Sequence, residues 1–537
     1  MEKKVYNVKN KINEIYDSCV KKIDSKKIGG LAVLLFAVSL FPVVYVGLHN
    51  YASGDDYWFG LHTYRAWVET GSLWAALKGS CQMVAQIYQE WQGTWFTIFL
   101  FTLSPNNFHE KGYVLTVFIA LGLLVGSFAY LADYYLVKKL QFARGVAVAV
   151  TCMILYLLIQ YMPRTTSGLF WFNGIMHYTV PLFLGVLAVV HAHKFVEQKR
   201  VRDFMIAFIS FTLLGGGSYL IPICASLAVV LMLLYQIEEV HLSAKNVKLK
   251  YDKKNLWLLL ALIIETIGLL ISFLSPGNSV RGGEEFGFSL KWALECIYYS
   301  IDRGIYLGID YFTENPVTSV IFAIIVVLFW EQLWKTDYEK YRFRYPLLFV
   351  IYTNGIYWAS YAPEIYSRAD VSGGCQNTYM QVFFIVTLAN ILYVHGWLQR
   401  KIKESWGKQA EKINQSTKFL EEKSVLGKYK CKRYIVVPTV IVMGIVFSVL
   451  TLNKGFTTTN EHCMEYISSG KMKRYVEIRK EQHRILSDEK IKDAVVPEMK
   501  VDYPILNMPL SENVEVSGNI DRALYYNKNS VKAVMVE

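Results

Sequence analysis

The sequence predicts an all-α polytopic membrane protein, and three observations carry that prediction. Of its 537 residues, 53% are hydrophobic and 15% aromatic, against 19% charged. The apolar residues fall in runs, many of which reach the roughly 20 residues needed to cross a bilayer as a helix. Basic residues cluster between those runs, as they do in cytoplasmic loops of membrane proteins. The net charge of +12 therefore reads as membrane topology and not as a nucleic-acid surface.

Taken in order, residues 1–27 are a cytoplasmic segment with eight lysines and four acids. The basic stretch is longer than that of a secretory signal peptide and lacks a small-residue cleavage site, so the next apolar run is read as a retained anchor. Candidate spans then lie near 28–48, 112–137, 142–162, 174–193, 203–214, 218–236, 255–275, 317–333, 346–361, 377–398 and 435–453, about eleven in all. If each crosses once, the basic clusters at Lys138–Arg144, Lys194–Arg202, Lys245–Lys254, Lys335–Arg344 and Arg400–Arg433 all fall inside. Residues 203–236 are read as two short helices turning at Gly215-Gly216-Gly217, because one crossing would strand a basic flank on the wrong face. Residues 94–103 are too short to cross, so 62–108 is expected to form juxtamembrane helices along the interface.

This divides the chain into the cytoplasmic segment 1–27, a transmembrane domain 28–453 and an extracytoplasmic C-terminal domain 454–537. Within the transmembrane domain, 49–111 is the first outer loop and 399–434 a cytoplasmic loop. The tail shows a charged helical pattern over about 460–488 and short apolar pieces at 494–496 and 531–536. It is expected to be a small α/β unit docked on the outer loops, since some eighty residues fold alone only marginally. The eight cysteines are scattered without a CxxC pair, so neither a zinc site nor a disulfide framework is indicated. No Walker motif, dinucleotide fingerprint, HExxH or nucleophile elbow appears.

The unusual residues collect in the outer loops. Directly after the first span comes Ser53-Gly54-Asp55-Asp56-Tyr57-Trp58. Two acids at a membrane edge are costly unless water or a partner receives them, and adjacent residues cannot share one helical face. Then come Trp91-Gln92-Gly93, Arg164, Trp171-Phe172-Asn173-Gly174 with His177, Ser275-Pro276-Gly277-Asn278 with Arg281, and Arg368-Ala369-Asp370. Each has a bland reading as a turn, an interfacial aromatic anchor or a loop charge. Arginine is also the side chain that grips phosphate through two parallel N–H donors. Glu265, near the middle of a span, is either a buried structural acid or part of a functional pathway.

Gly54-Asp55-Asp56-Tyr57 through His62, Arg65 and Trp67 resembles the acidic first-loop motif of the GT-C superfamily of integral-membrane glycosyltransferases. Trp-Gln-Gly-Thr-Trp-Phe (91–96), Trp-Phe-Asn-Gly (171–174) and Pro-Gly-Asn with a nearby arginine (276–281) are similar to marks of a poorly characterised bacterial family. The resemblance implies a transferase that takes a sugar from a polyprenyl-phosphate carrier and passes it to a cell-envelope glycan or lipid, at the outer face of the plasma membrane. It implies that Asp55 or Asp56 is the catalytic acid residue, without choosing between them.

On that reading the carboxylate removes the acceptor proton as attack inverts the anomeric centre. The other acid orients substrate or holds a divalent ion, Mg or Mn, through oxygen ligands. Arg281, Arg368 and Arg164 are the candidates for the donor phosphate, where fixed positive charge stabilises the leaving group. Asn173, His177, Asn278, Trp58 and Trp91 are the candidates for sugar and acceptor. The rival expectations are a transporter or a lipid-linked-glycan flippase or polymerase. Against transport stands the lack of an obvious internal repeat.

Overall fold

The computed structural model describes residues 25–243, 252–282, 289–334, 341–367, 373–414, 457–500, 505–506 and 508–536. Side chains are described throughout except at 237–243 and 406–414. The described chain is helical almost throughout. Helices α1 (Ser25–Ser39) and α2 (Phe41–Gly47) form the first apolar rod. They are followed by α3 (Asp56–Thr70), α4 (Leu73–Glu90) and α5 (Trp95–Thr102). Next come α6 (Leu115–Ala132), α7 (Arg144–Gln160), α8 (Val180–Gln198), α9 (Val201–Leu214), α10 (Leu220–Ser243) and α11 (Trp257–Phe273). A short α12 (Pro276–Gly282) precedes α13 (Leu290–Thr313), α14 (Pro316–Leu333), α15 (Pro346–Ala359), α16 (Ala362–Ser367) and α17 (Cys375–Asn414). The C-terminal segment holds α18 (Thr459–Ser468), α19 (Lys471–Ser487), β1 (Asp493–Glu498), α20 (Ser517–Tyr525) and β2 (Ser530–Met535).

Among the described residues, six helical stretches are long and apolar enough to cross a membrane: Ser25–Gly47, Glu110–Lys139, Phe172–Gln198, Lys253–Phe273, Pro316–Leu333 and Cys375–Ser405. Two shorter ones, Arg144–Gln160 and Leu220–Gln236, are also apolar. Of the expected spans, 435–453 lies outside the described residues. The apolar faces turned outward, such as Leu31, Leu34, Leu35 and Val38 on α1 and Leu260, Ile263, Ile267 and Leu270 on α11, suit a lipid surround in which helices satisfy their own backbone.

Helix ends follow local chemistry. The Ser289 hydroxyl accepts from Trp292 N–H at 3.2 Å, and Asn315 caps the start of α14 ahead of Pro316. Small residues let helices approach closely. A Cβ at Gly29 of α1 would lie 2.9 Å from Gly145 of α7, and one at Gly268 of α11 would lie 2.9 Å from Gly215.

One element differs from the sequence reading. No span is expected over 290–313, yet α13 runs for 24 residues. Lys291, Glu295, Asp302, Arg303 and Asp310 interrupt its hydropathy, so no window reads as a span. Its apolar residues still recur at helical spacing, with Leu290, Leu294, Ile297, Ile305 and Ile309 exposed on one side.

The C-terminal segment starts with a capping box, Thr458 with Glu461. Strands β1 and β2 pair in parallel from Asp493–Ser530 to Glu498–Met535. The segment is joined to the helical body by Thr459 Oγ1 donating to Ile159 O at 2.6 Å and by Arg65 donating to Leu524 O at 2.7 Å.

Candidate active site

The chain leaves α2 through Asn50, whose amide donates to Phe170 O at 2.5 Å. Gly54 then adopts φ +56°, a left-handed conformation that glycine alone takes without strain. Here a Cβ would also meet the Met508 Sδ at 2.7 Å. This turn makes Asp55 the N-cap of α3 and Asp56 its first residue, where the helix dipole favours negative charge.

Asp56 is fully buried, at 0% exposure. Its Oδ2 accepts from Ser53 N–H at 3.0 Å and from the Tyr113 hydroxyl at 2.6 Å. Tyr113 in turn accepts from Phe172 N–H at 3.1 Å, so one tyrosine ties the acid to the Trp-Phe-Asn-Gly loop. Two π-helical stretches, Thr166–Phe170 and Ile175–Thr179, bracket that loop; such bulges re-aim side chains inside helices. Asp55 Oδ1, Asp56 Oδ1, Ser53 Oγ, Trp171 Nε1 and both side-chain atoms of Asn173 are buried without a hydrogen-bond partner. Each such group costs about 1–3 kcal/mol. Their concentration around one turn marks a place built to receive polar atoms.

Burial pushes Asp55 up to about 8, with the charge of Asp56 adding to it and Asp521 a smaller contributor. Burial also raises Asp56, to about 6. Hydrogen bonds from Tyr113 and Ser53, the nearby Asn173 backbone and the charge of Arg522 restrain that rise. Burial thus raises both carboxyls, and the hydrogen bonds to Asp56 favour its charged form over that of Asp55.

Of the other candidates, Trp58 stands edge-on to Trp91 at 6.4 Å, and the Arg281 guanidinium lies 5.0 Å from the Trp91 ring. Arg281 also donates to Gln92 at 3.3 Å. A ladder of side chains thus runs from Trp58 in the first turn of α3 to an exposed arginine. The Trp-Gln-Gly and Pro-Gly-Asn motifs pack backbone to backbone: a Cβ at Gly93 would lie 1.9 Å from Ser272 O, and one at Gly277 would lie 2.4 Å from Trp91 N. Asn278 spends its amide on Ser272 O and Phe273 O at 2.7 and 3.0 Å, closing the end of α11. His177 bonds Thr97 Oγ1 at 3.1 Å, and Gly216 O accepts from Phe96 and Thr97 N–H at 2.9 and 3.3 Å. Motifs spread from residue 53 to residue 281 therefore meet at one end of the helical body.

Arg164 is exposed, with its backbone held by Asn377 at 2.9 and 2.8 Å. Its side chain lies against Gly373, where a Cβ would stand 2.6 Å from Nε. Arg368 and Asp370 lie outside the described residues. Neither Asp55 nor Asp56 forms an ion pair among the described residues. The arginine whose charge bears on Asp56 is Arg522, which the sequence reading did not single out. It sits 2% exposed, 3.8 Å over the Tyr57 ring. A residue arriving from the far end of the chain leaves no local signal of this proximity.

Among the described residues no three His, Cys, Asp or Glu side chains gather as a metal site. The unpartnered oxygens of Asp55, Asp56, Ser53 and Asn173 are nevertheless the hard ligands that Mg²⁺ or Mn²⁺ takes. The fold and this site define a class: a helical chain suited to a bilayer, carrying a buried acidic turn where its loops converge. No protein-family model matches the chain, and no curated protein matches it.

Proposed function

We propose that the chain is an inverting membrane glycosyltransferase. In this reading it moves a sugar from a polyprenyl-phosphate donor to a hydroxyl on a cell-envelope glycan or lipid, at the outer face of the membrane. The observation that carries the reading is the acidic turn, where buried Asp56 and half-buried Asp55 each offer an unpartnered oxygen beside the unpartnered Asn173 amide.

The acceptor oxygen attacks the anomeric carbon. The bond from that carbon to the phosphate oxygen breaks, and its electron pair leaves with the lipid phosphate. The acceptor proton passes to Asp56, the acid held ionised by Tyr113 and the Ser53 amide. Asp55 keeps its proton and donates a hydrogen bond to the substrate. Asn173, Trp58 and Trp91 hold the sugar, while Arg281, with Arg164 and Arg368, draws the phosphate. Asn278 and His177 position the loops. A divalent ion, if one is used, would be held by Asp55, Asp56, Ser53 and Asn173 and would supply charge neutralisation there.

The test is transfer from a polyprenyl-phosphate sugar in membranes carrying Asp55→Asn, Asp56→Asn or both. Loss of about 10²–10⁴-fold is expected for the base; full activity in all three variants overturns the assignment. A second reading, a proton- or ion-coupled transporter, is favoured by Glu265. It is 1% exposed in α11, bonded by Ser226 through Oε2, with Oε1 unpartnered. Solute uptake that depends on Glu265 and ignores Asp55 and Asp56 would select it.

A further inference from the structure

The C-terminal segment closes a second space that the proposed transfer chemistry leaves unused. It lies between α3, the turn at 106–110 and helices α19 and α20, with a volume of about 210 Å³. A space of that size holds several waters and is on the scale of one sugar ring.

Aromatic side chains line its walls: Tyr57, Tyr64, Trp67, Tyr525 and Tyr526. Tyr64 and Tyr525 stack at 3.9 Å with planes 16° apart, and Tyr57 stands edge-on to Tyr525 at 4.9 Å. Two buried arginines line the same space, and they differ. Arg479 is satisfied by Gln482 at 2.9 Å, by Ala52 O, and by Glu498 at 3.9 Å. Arg522 lies over the face of Tyr57 and its charge bears on Asp56 and Asp521, but its Nε is buried with no hydrogen-bond partner. A buried guanidinium that leaves an N–H unused is costly, and it has no purpose in a pocket for an apolar molecule. Flat aromatic rings beside a fixed N–H donor suit a pyranose, which offers a C–H face to the rings and oxygens to the donor.

We infer that this cavity is a saccharide-binding site that holds one sugar unit with an oxygen on Arg522. Its occupant is a unit of the acceptor glycan, a step that rests on the transferase reading; the binding itself does not. The site joins α3 to the C-terminal segment, so an occupant contacts the helix that begins at the catalytic acids as well as the segment that closes over it.

The experiment is saturation-transfer NMR on the purified full-length protein in nanodiscs. The probes are galactose, glucose, rhamnose, N-acetylglucosamine, glucuronate and galactose 6-phosphate, with uridine as the stacking control. The expected result is transfer to the ring protons of at least one saccharide, with an affinity that falls about tenfold in Arg522→Gln and in Tyr64→Leu. A neutral probe would place a hydroxyl on Arg522, and an acidic probe a carboxylate or phosphate. Transfer to no saccharide, transfer unchanged in both variants, or transfer to uridine alone overturns the inference. Should Arg522→Gln lose its cooperative melting, Arg522→Lys keeps the charge without the planar fork and carries the same expectation. Saccharide binding that persists in Asp56→Asn membranes lacking transfer separates this site from the reaction; binding with no transfer even in the parent protein leaves the site standing and removes the transferase.

Discussion

At the scale of single residues, the acidic turn makes opposite demands on stability and on chemistry. In the unfolded chain Asp55 loses its proton near pH 4, whereas in the fold it holds that proton up to about 8. The folded state therefore binds the extra proton between those values, and stability falls as pH rises through that window. Asp55→Asn removes the ionisation. The variant is expected to melt above the parent at pH 8 and close to it at pH 4; differential scanning at the two pH values checks this. Tyr113→Phe removes a hydrogen bond that favours the Asp56 carboxylate, so Asp56 should titrate higher. The acid limb of the pH–rate profile should then move upward from about 6, with a rate loss of about tenfold. An unmoved limb would separate Asp56 from the base. The pair of acids was legible in the sequence because adjacent carboxylates beside a span are rare. What distinguishes them, the hydroxyl of Tyr113 and the charge of Arg522, comes from positions 57 and 466 residues away from Asp56 and could not be read.

At the scale of elements, glycines decide which loops touch. Gly93 and Gly277 sit where two chain segments meet with no room for a methyl. Gly93→Ala or Gly277→Ala must push the Trp-Gln-Gly loop off the end of α11, with a cost on the order of 1–3 kcal/mol for overpacking and loss of the Trp91–Arg281 contact. Gly122 in α6 and Gly355 in α15 face open space, and alanine there should be neutral or stabilising by roughly 0.5–1 kcal/mol. Thermal melting of the four variants distinguishes these outcomes; equal behaviour would show that the loops do not meet. Sequence made the apolar rods readable because hydropathy accumulates over a window. It did not show α13, whose five charged residues break every window while its 3.6-residue period survives. Nor did it show that Asn278 turns its amide back onto the end of α11, since a turn and a binding loop share the same residues.

At the scale of the whole molecule, the proposal depends on which side of the bilayer the converging end faces. The positive clusters supply the argument. Lys139 pairs with Glu197, Lys194 donates to Tyr130 at 2.6 Å, and Lys199 bonds Asn255, all around the hairpins at the ends of α6, α8 and α9. The acidic turn, the triglycine turn and the Pro-Gly-Asn turn lie at the other ends of these rods. If lysines mark the cytoplasmic side, the acids face out, where a lipid-linked sugar is met and soluble nucleotide sugars are not. Two positions report on the two ends. Cys81 on α4 is exposed and native, and Arg202 at the start of α9 is exposed at the lysine-rich end. A membrane-impermeant maleimide applied to intact cells is expected to modify Cys81, and to modify Arg202→Cys only after permeabilisation, as read by peptide mass mapping. The reverse pattern would put the acids in the cytoplasm and remove the lipid-linked donor from the reading. Labelling of both in intact cells would mean that the chain does not cross the bilayer between them. Only the expected pattern leaves the acidic turn, the arginine ladder and the saccharide cavity on the face where envelope glycans are assembled.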